Sequence, residues 1–502
     1  MRKKREVLLY IFQVMNICMM AWILYLTAGV TIGRAPAAFA VSAGGLVLLF
    51  LGGKSHLLAD RWNRIYPVLW IVMLVFMYYL AFHLRVDIYD TWDFGQIIRS
   101  AFDLTKTGTF SDYERIYYSR YPNNQFILMF MTHLFKGYHR LRPDAGIYQY
   151  LDLTIRVNVV LIMLSVALAH YTARQLFDER GVVFADLLIT GCSPLYLYAS
   201  IMYTDTLALL PGIGILAAVL TAQKNEAVNK KKYLVFFGVA GLSAAVAMNV
   251  KMTVIFIAIG VFIFLAIKED FKTFLTALLC FAVVFALTHA GIKLMENHFY
   301  GYTAEEKDAN EFPYEHWVMM GLHGNGRFNA DDVKYTQQFP TKSEKAQGDR
   351  ERIGELVSGM GAGGLIHRLF YRKIRYSWTQ GAVSAEVYLT RHPLNRGRWY
   401  ELFARDGKYF PVYLAYVQGY YMIILLGMLL SGVKHMRREN DTLICGAQIA
   451  VFGLILFLML WENNPRYILQ FELLFCLIAA DGLVHPGNLI TLPGTLSRTH
   501  KK

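Results

Sequence analysis

Cysteine is scarce in this chain: there are five in 502 residues, Cys18, Cys192, Cys280, Cys445 and Cys476, each inside an apolar segment. That scarcity excludes a disulfide-stapled domain. No spacing among them matches a metal site, so they read as small buried or lipid-facing side chains. Charge is scarce as well, at 17% of residues where soluble domains carry about 25%. No histidine pair has zinc-ligand spacing, and no Gly-rich phosphate loop of the P-loop type is present. Short repeats, coiled-coil heptads and low-complexity tracts are missing too. Carboxylates are the minority charge: 37 Asp and Glu stand against 50 Lys and Arg, a net charge of +13. Those cations sit in short connections between apolar runs, where membrane proteins keep them on the inner side. Nucleic acid is therefore not expected as a partner.

What the chain has is apolar length. Hydrophobic residues make up 55% of it and its mean hydropathy is +0.34. Runs of about 20 apolar residues recur, the length that crosses roughly 30 Å of hydrocarbon. They predict an all-α polytopic membrane protein with about 12 transmembrane helices. The spans fall at roughly 7–29, 37–53, 66–84, 152–171, 182–202, 206–222, 233–249, 252–267, 273–295, 411–431, 442–460 and 467–484. The run after Met-Arg-Lys-Lys-Arg is too long for a signal peptide and lacks a small-residue cleavage site, so it reads as an uncleaved first span.

Alternation from an inner N-terminus makes every short inner connection basic. Examples are Arg61 and Arg64, Lys230 to Lys232, and Lys434 with Arg437. The short outer connections hold only Arg34, Lys251 and Arg466. The asymmetry predicts a plasma-membrane protein with both termini cytoplasmic. Six regions follow: N-terminal spans 1–84, a first outer loop 85–151, a core of spans 152–295, a large and mostly helical outer loop 296–410, C-terminal spans 411–484, and a cytoplasmic tail 485–502. Segment 125–135 is too short to span and reads as an interfacial helix, and 351–381 has the same mixed apolar and cationic pattern.

The unusual polar residues gather on the outer side. The first outer loop carries Asp87, Asp90 and Asp93, then Tyr121-Pro122-Asn123-Asn124. Later come Tyr203-Thr204-Asp205, Lys251, His316-Trp317, and Glu462-Asn463-Asn464-Pro465-Arg466-Tyr467. Charges near bilayer depth are costly and usually face a partner or a cavity. Each also has an ordinary reading. Asp93 opens a helical pattern and suits an N-cap, Asp87 can be neutralised by Arg85, Lys251 can snorkel to water, and Glu462 can pair with Arg466. The functional reading makes Asp93, or Asp90, a base for a hydroxyl proton. Lys251 and Arg466 become cations for a lipid-linked phosphate.

Taken together these residues resemble the GT-C class of membrane glycosyltransferases. The likeness is to the protein O-mannosyltransferase and aminoarabinose-transferase relatives, glycosyltransferase family 39-like, in the Gram-positive branch with a Tyr-Pro-Asn-Asn motif. It runs in order through Trp92-Asp93, Gly108, Tyr121 to Asn124, Arg156 and Asn158, Pro194, Tyr203 to Asp205, Lys251, His316-Trp317, Asn325-Gly326, Lys373, Trp378, and Glu462 with Arg466-Tyr467. Two features depart from the family: an extra pair of spans precedes the first outer loop, and Phe94 follows Asp93 where the family has Glu.

The resemblance implies a GT-C fold and an inverting transfer of a sugar from a polyprenyl-phosphate donor at the outer face. It makes Asp93 the catalytic base. Lys251, Arg466, Arg372 and Lys373 would bind the donor phosphate, and Asp90, Tyr121, Asn123, Asn124, Asp205, His316, Trp317, Glu462 and Tyr467 would bind substrate. The acceptor, a cell-envelope polymer, a lipid or a protein, stays open. No cofactor or metal is assigned, although a divalent cation between Asp93 and Asp205 is an option. The competing class is a multi-span transporter or flippase. Against it, the two halves of the chain look unlike each other, and the polar residues sit at helix ends rather than mid-membrane.

Overall fold

The computed structural model describes residues 2–89, 92–437 and 442–484. Among them the chain is helical, with one isolated β-bridge between Val86 and Pro393. Three helices open it: α1 (Arg2–Arg34), α2 (Ala38–Lys54) and α3 (His56–His83). The first polar segment, 85–151, folds as α4 (Asp93–Thr107), α5 (Asp112–Arg120), a 3-10 turn at Pro122–Asn124, and α6 (Gln125–Leu141). The core follows with α7 (Ile147–Leu176), α8 (Glu179–Gly191), the short α9 (Ser193–Leu197) and α10 (Thr204–Leu207), then α11 (Leu209–Asn225), α12 (Lys230–Val250), α13 (Ile255–Lys268) and α14 (Phe271–Tyr300).

The second polar segment, 296–410, holds α15 (Ala304–Asn310), α16 (Tyr314–Leu322), α17 (Ala330–Gln337) and α18 (Lys342–His367), which is broken at Gly361. A π-helical turn at Arg368–Lys373 leads to the short α19 (Ile374–Ser377), α20 (Ala385–Tyr388) and α21 (Arg398–Phe403). The chain closes with α22 (Phe410–Arg437), α23 (Ile444–Leu460), a 3-10 segment at Pro465–Phe471, and α24 (Glu472–Leu483).

Each expected span lies mostly on helix, but among the described residues seven helices are long and apolar enough to cross a membrane. The pair Glu179–Gly191 and Ser193–Ser200, bent by 46°, makes an eighth. Pro194 near the start of α9 accounts for that bend, because it cannot donate to the ladder. The three apolar helices Ala38–Gly52, Met252–Lys268 and Ile444–Leu460 are shorter. The last expected span opens as a 3-10 segment, and α24, which follows it, is buried along its whole length. A helix apolar all round belongs inside the bundle. By contrast α14 leaves most of its apolar length on the outside, the surface a lipid would cover. The chain is a multi-pass membrane protein.

Small residues let the spans touch. A Cβ at Gly260 of α13 would stand 2.4 Å from the Gly446 carbonyl of α23, and one at Gly482 would meet the Gly427 carbonyl of α22 at 2.0 Å. Close backbone approach of this kind is how helices associate where no hydrophobic drive separates them from lipid. Two aspartates inside the bundle are paired: Asp186 accepts from Trp62 at 2.6 Å and meets His170 at 2.8 Å, while Lys434 lies 2.7 Å from Asp481.

In the first polar segment, α4 packs Phe94, Ile97, Ile98 and Ala101 against the buried face of α6, which includes Ile127, Leu128, Met131 and Phe135. The expected interfacial helix thus has its apolar face in protein. A capping box of Ser111 and Glu114 starts α5. Arg115 holds both carboxylate oxygens of Glu306 at 2.8 Å, which ties α5 to α15 and joins the two polar segments.

Candidate active site

Asp93 is the first residue of α4, and its side chain does not cap the helix; Trp92 occupies the N-cap position. The carboxylate turns instead to two phenols. Tyr117 of α5 donates to Oδ1 at 2.6 Å, and the Tyr203 hydroxyl lies 3.0 Å from Oδ2. Asn124 completes the ring: its Nδ2 donates to the Tyr117 oxygen at 3.1 Å, and its Oδ1 lies 2.8 Å from the Tyr203 hydroxyl. Burial, helped by the Asp93 charge, pushes the Tyr117 hydroxyl upward, so it stays a proton donor. Asp93 is only half-buried and keeps an open side. The result is a carboxylate held in one orientation yet reachable.

Behind Tyr203 lies the cation pair. Asp205, on α10, is buried; its Oδ1 is 2.9 Å from Lys251 Nζ and its Oδ2 is 3.0 Å from Arg466 Nε. Lys251 sits in the one-residue break after α12, so its side chain leaves the end of that helix. Arg466 stands on the 3-10 segment that starts at Pro465. Its guanidinium rests among the rings of Tyr203 at 4.8 Å, Tyr388 at 4.9 Å and Tyr467 at 5.9 Å. Lys251 Nζ lies 4.3 Å from the Tyr467 ring centre. Asp205 thus answers one of two positive charges. The buried Nη1 of Arg466 has no hydrogen-bond partner among the described residues.

Several ordinary readings of these residues do not hold. Glu462 accepts from Tyr467 at 2.6 Å rather than pairing with Arg466, and burial raises its carboxyl. Lys251 turns onto Asp205 rather than out to water. Arg85 pairs with Asp152 at 2.9 Å, and Asp87 instead accepts from the Ile88 amide and the Tyr148 hydroxyl.

The structure brings together Asp93, Asn124, Asp205, Lys251, Arg466, Glu462 and Tyr467, and leaves others apart. Lys373 is buried with Nζ on the carbonyls of Gly321 at 2.8 Å and Trp461 at 2.6 Å, and burial brings its ammonium down to about 7. It fastens the second polar segment to the turn that carries Glu462 and Arg466. Arg372, one residue earlier, is exposed. His316 is buried inside the second polar segment, 2.7 Å from the Thr336 hydroxyl, which donates to Asp349 at 2.7 Å. Trp317 lies between Tyr121 at 6.3 Å and Trp461 at 6.2 Å. Asn123 is exposed beside them. Asp90 lies outside the described residues, as does the tail 485–502.

Among the described residues no group of three or more His, Cys, Asp or Glu side chains gathers as a metal cage. The oxygens of Asp205 already face Lys251 and Arg466, and those of Asp93 face phenols, so an ion between the two aspartates would compete with these partners. Sequence reasoning missed Tyr117, Tyr388 and Trp461. The four-residue spacing of Tyr113, Tyr117 and Tyr121 is a signal in the sequence that places the three on one helix face, and it went unread.

A family model described as a conserved hypothetical integral membrane protein matches residues 48–484. No curated protein matches the chain. Among solved structures, the chain is similar to the archaeal oligosaccharyltransferase AglB from Archaeoglobus fulgidus, in complex with an inhibitory peptide and a dolichol-phosphate, at 13% identity and a TM-score of 0.42. The match covers 82% of this chain and 50% of that one, so the chain spans about half the length of that structure.

Proposed function

The chain belongs to this family of integral membrane proteins, and on that premise we propose that it is an inverting glycosyltransferase of the GT-C type. It moves a sugar from a polyprenyl-phosphate donor to an acceptor hydroxyl at the outer face of the plasma membrane. One observation carries the reading: an oriented, reachable carboxylate, Asp93, is joined through Tyr203 to a buried guanidinium, Arg466, with an unused donor.

In this reading the acceptor hydroxyl approaches the open side of Asp93 and gives up its proton there as its oxygen attacks the anomeric carbon. The bond from that carbon to the phosphate oxygen breaks, and the electron pair leaves with polyprenyl phosphate. Arg466 Nη1 and Lys251 stabilise the charge that grows on the phosphate, more in the transition state than in the donor. Asp205 keeps the two cations apart and oriented. No acid is required, because phosphate is already a good leaving group. A single displacement inverts the anomeric centre.

The test is incubation of purified protein with a panel of polyprenyl-phosphate sugars and assay for free polyprenyl phosphate. Release with at least one sugar is expected. Intact donor throughout, with the protein folded, removes the reading in favour of a transporter or flippase.

A further inference from the structure

We propose that a belt of aromatic rings beside Asp93 is the acceptor subsite, and that it takes a saccharide chain. The proposal rests on the transfer reading above and names its acceptor class. Six rings form the belt, each near the next. Tyr113 stacks with Tyr117 at 6.1 Å, Tyr117 lies 5.2 Å from Tyr121, and Tyr121 lies 6.3 Å from Trp317. Trp317 and Trp461 are nearly parallel, 23° apart at 6.2 Å, and Trp461 lies 6.2 Å from Tyr314. The rings come from three separate stretches: helix α5 with its C-cap, helix α16, and the turn after α23. The bidentate Arg115–Glu306 pair and the donations of Lys373 draw these stretches together.

The belt is open to solvent at its ends, where Tyr113 is 62% and Tyr314 71% exposed. Inward it reaches the site, because the Tyr117 hydroxyl is the one bonded to Asp93. A pyranose ring carries a face of C–H bonds with partial positive charge, which suits the negative face of an aromatic ring. A saccharide chain repeats that face along its length, as the belt repeats its rings. Exposed polar groups for sugar hydroxyls lie alongside, at Asp112 and Asn123.

Tyr and Trp also anchor proteins at the lipid interface, with their polar tips toward the headgroups. That role does not fit here. The Tyr117 hydroxyl points inward onto a carboxylate, and none of the six residues lies in a helix fit to span.

The test uses the purified full-length chain, a donor found active in the panel, and neutral oligosaccharides as acceptors. Tyr314→Ala, at an exposed position, and Trp317→Ala are each expected to raise the acceptor KM about three- to tenfold while the donor KM stays the same. Unchanged acceptor KM in both variants, or transfer only to a peptide or lipid, overturns the subsite and leaves the transfer reading standing. If no donor turns over, transfer fails, and binding decides the subsite separately. Oligosaccharide quenching of tryptophan fluorescence that weakens in Tyr314→Ala supports it, and no quenching overturns it. Reconstitution in brominated-lipid vesicles gives one more check. A large loss of Trp317 fluorescence, read as the difference from Trp317→Phe, puts the belt in lipid and overturns the proposal.

Discussion

Asp93 and Asp205 have different environments, and the difference assigns them different work. Asp93 is half-buried and held by neutral phenols, so it has a free side and no fixed countercharge. Asp205 is buried between two cations and is spoken for. Asp93→Asn keeps both tyrosine contacts within reach but cannot take a proton. It is expected to fold and to lose about a hundredfold to ten-thousandfold in transfer rate. Asp205→Asn takes from buried Arg466 and part-buried Lys251 the carboxylate that contacts both. A loss of about 3–5 kcal/mol in stability is expected, read as a lower unfolding midpoint in detergent. Adding Lys251→Met to Asp205→Asn removes one of those stranded charges and recovers part of the loss; a further drop would contradict the pairing. Much at this scale was visible in the sequence, since charges at the ends of apolar runs are expensive and few. Orientation was not visible. Lys373 reads as a phosphate cation by charge alone, yet its ammonium is spent on two carbonyls. Tyr203 and Asp93 are 110 positions apart, and no local pattern announces such a pairing.

Among the elements, the second polar segment, 296–410, is the part that holds the site's rim. Lys373→Met strands the Gly321 and Trp461 carbonyls, at about 1–3 kcal/mol for each buried group left unpaired. Faster proteolysis of segment 296–410 is expected, with the spans protected. Inside the loop two titrations oppose each other. Burial lowers His316 from 6.5 to about 4, so its contribution to stability is lost as pH falls from 6.5 toward 4. Burial raises Asp349 from 3.8 to about 6, so its contribution is present below 3.8 and lost as pH rises through 6. His316→Phe is therefore expected to make the loop more stable as pH falls from 6 to 4, and Asp349→Asn less stable. Hydrogen exchange over α16, α17 and α18 reads both; equal slopes would contradict the assignment. The helices themselves were legible, because runs of apolar residues and caps such as Ser111 with Glu114 are local signals. The burial of α6 against α4 was not, because one amphipathic face looks the same whether lipid or protein covers it.

At the scale of the molecule, the account needs Asp93, Lys251 and Arg466 on one side of the membrane, away from the basic connections. In a chain with its five cysteines replaced, Asn123→Cys is expected to react with a membrane-impermeant maleimide in intact cells. Glu226→Cys should react only after permeabilisation. The reverse pattern would turn the topology over and put the site in the cytosol. The number of spans was the least legible feature, because α13 and α23 are short and the last run divides into a 3-10 segment and a buried helix. The central claim is that Asp93 drives breakage of a bond between sugar and lipid-linked phosphate. Single-turnover release of polyprenyl phosphate from a labelled donor, with acceptor present and equal amounts of folded protein, tests it most directly. Rapid release by the native chain and release at least a hundredfold slower by Asp93→Asn are expected; equal rates from the two would contradict the account.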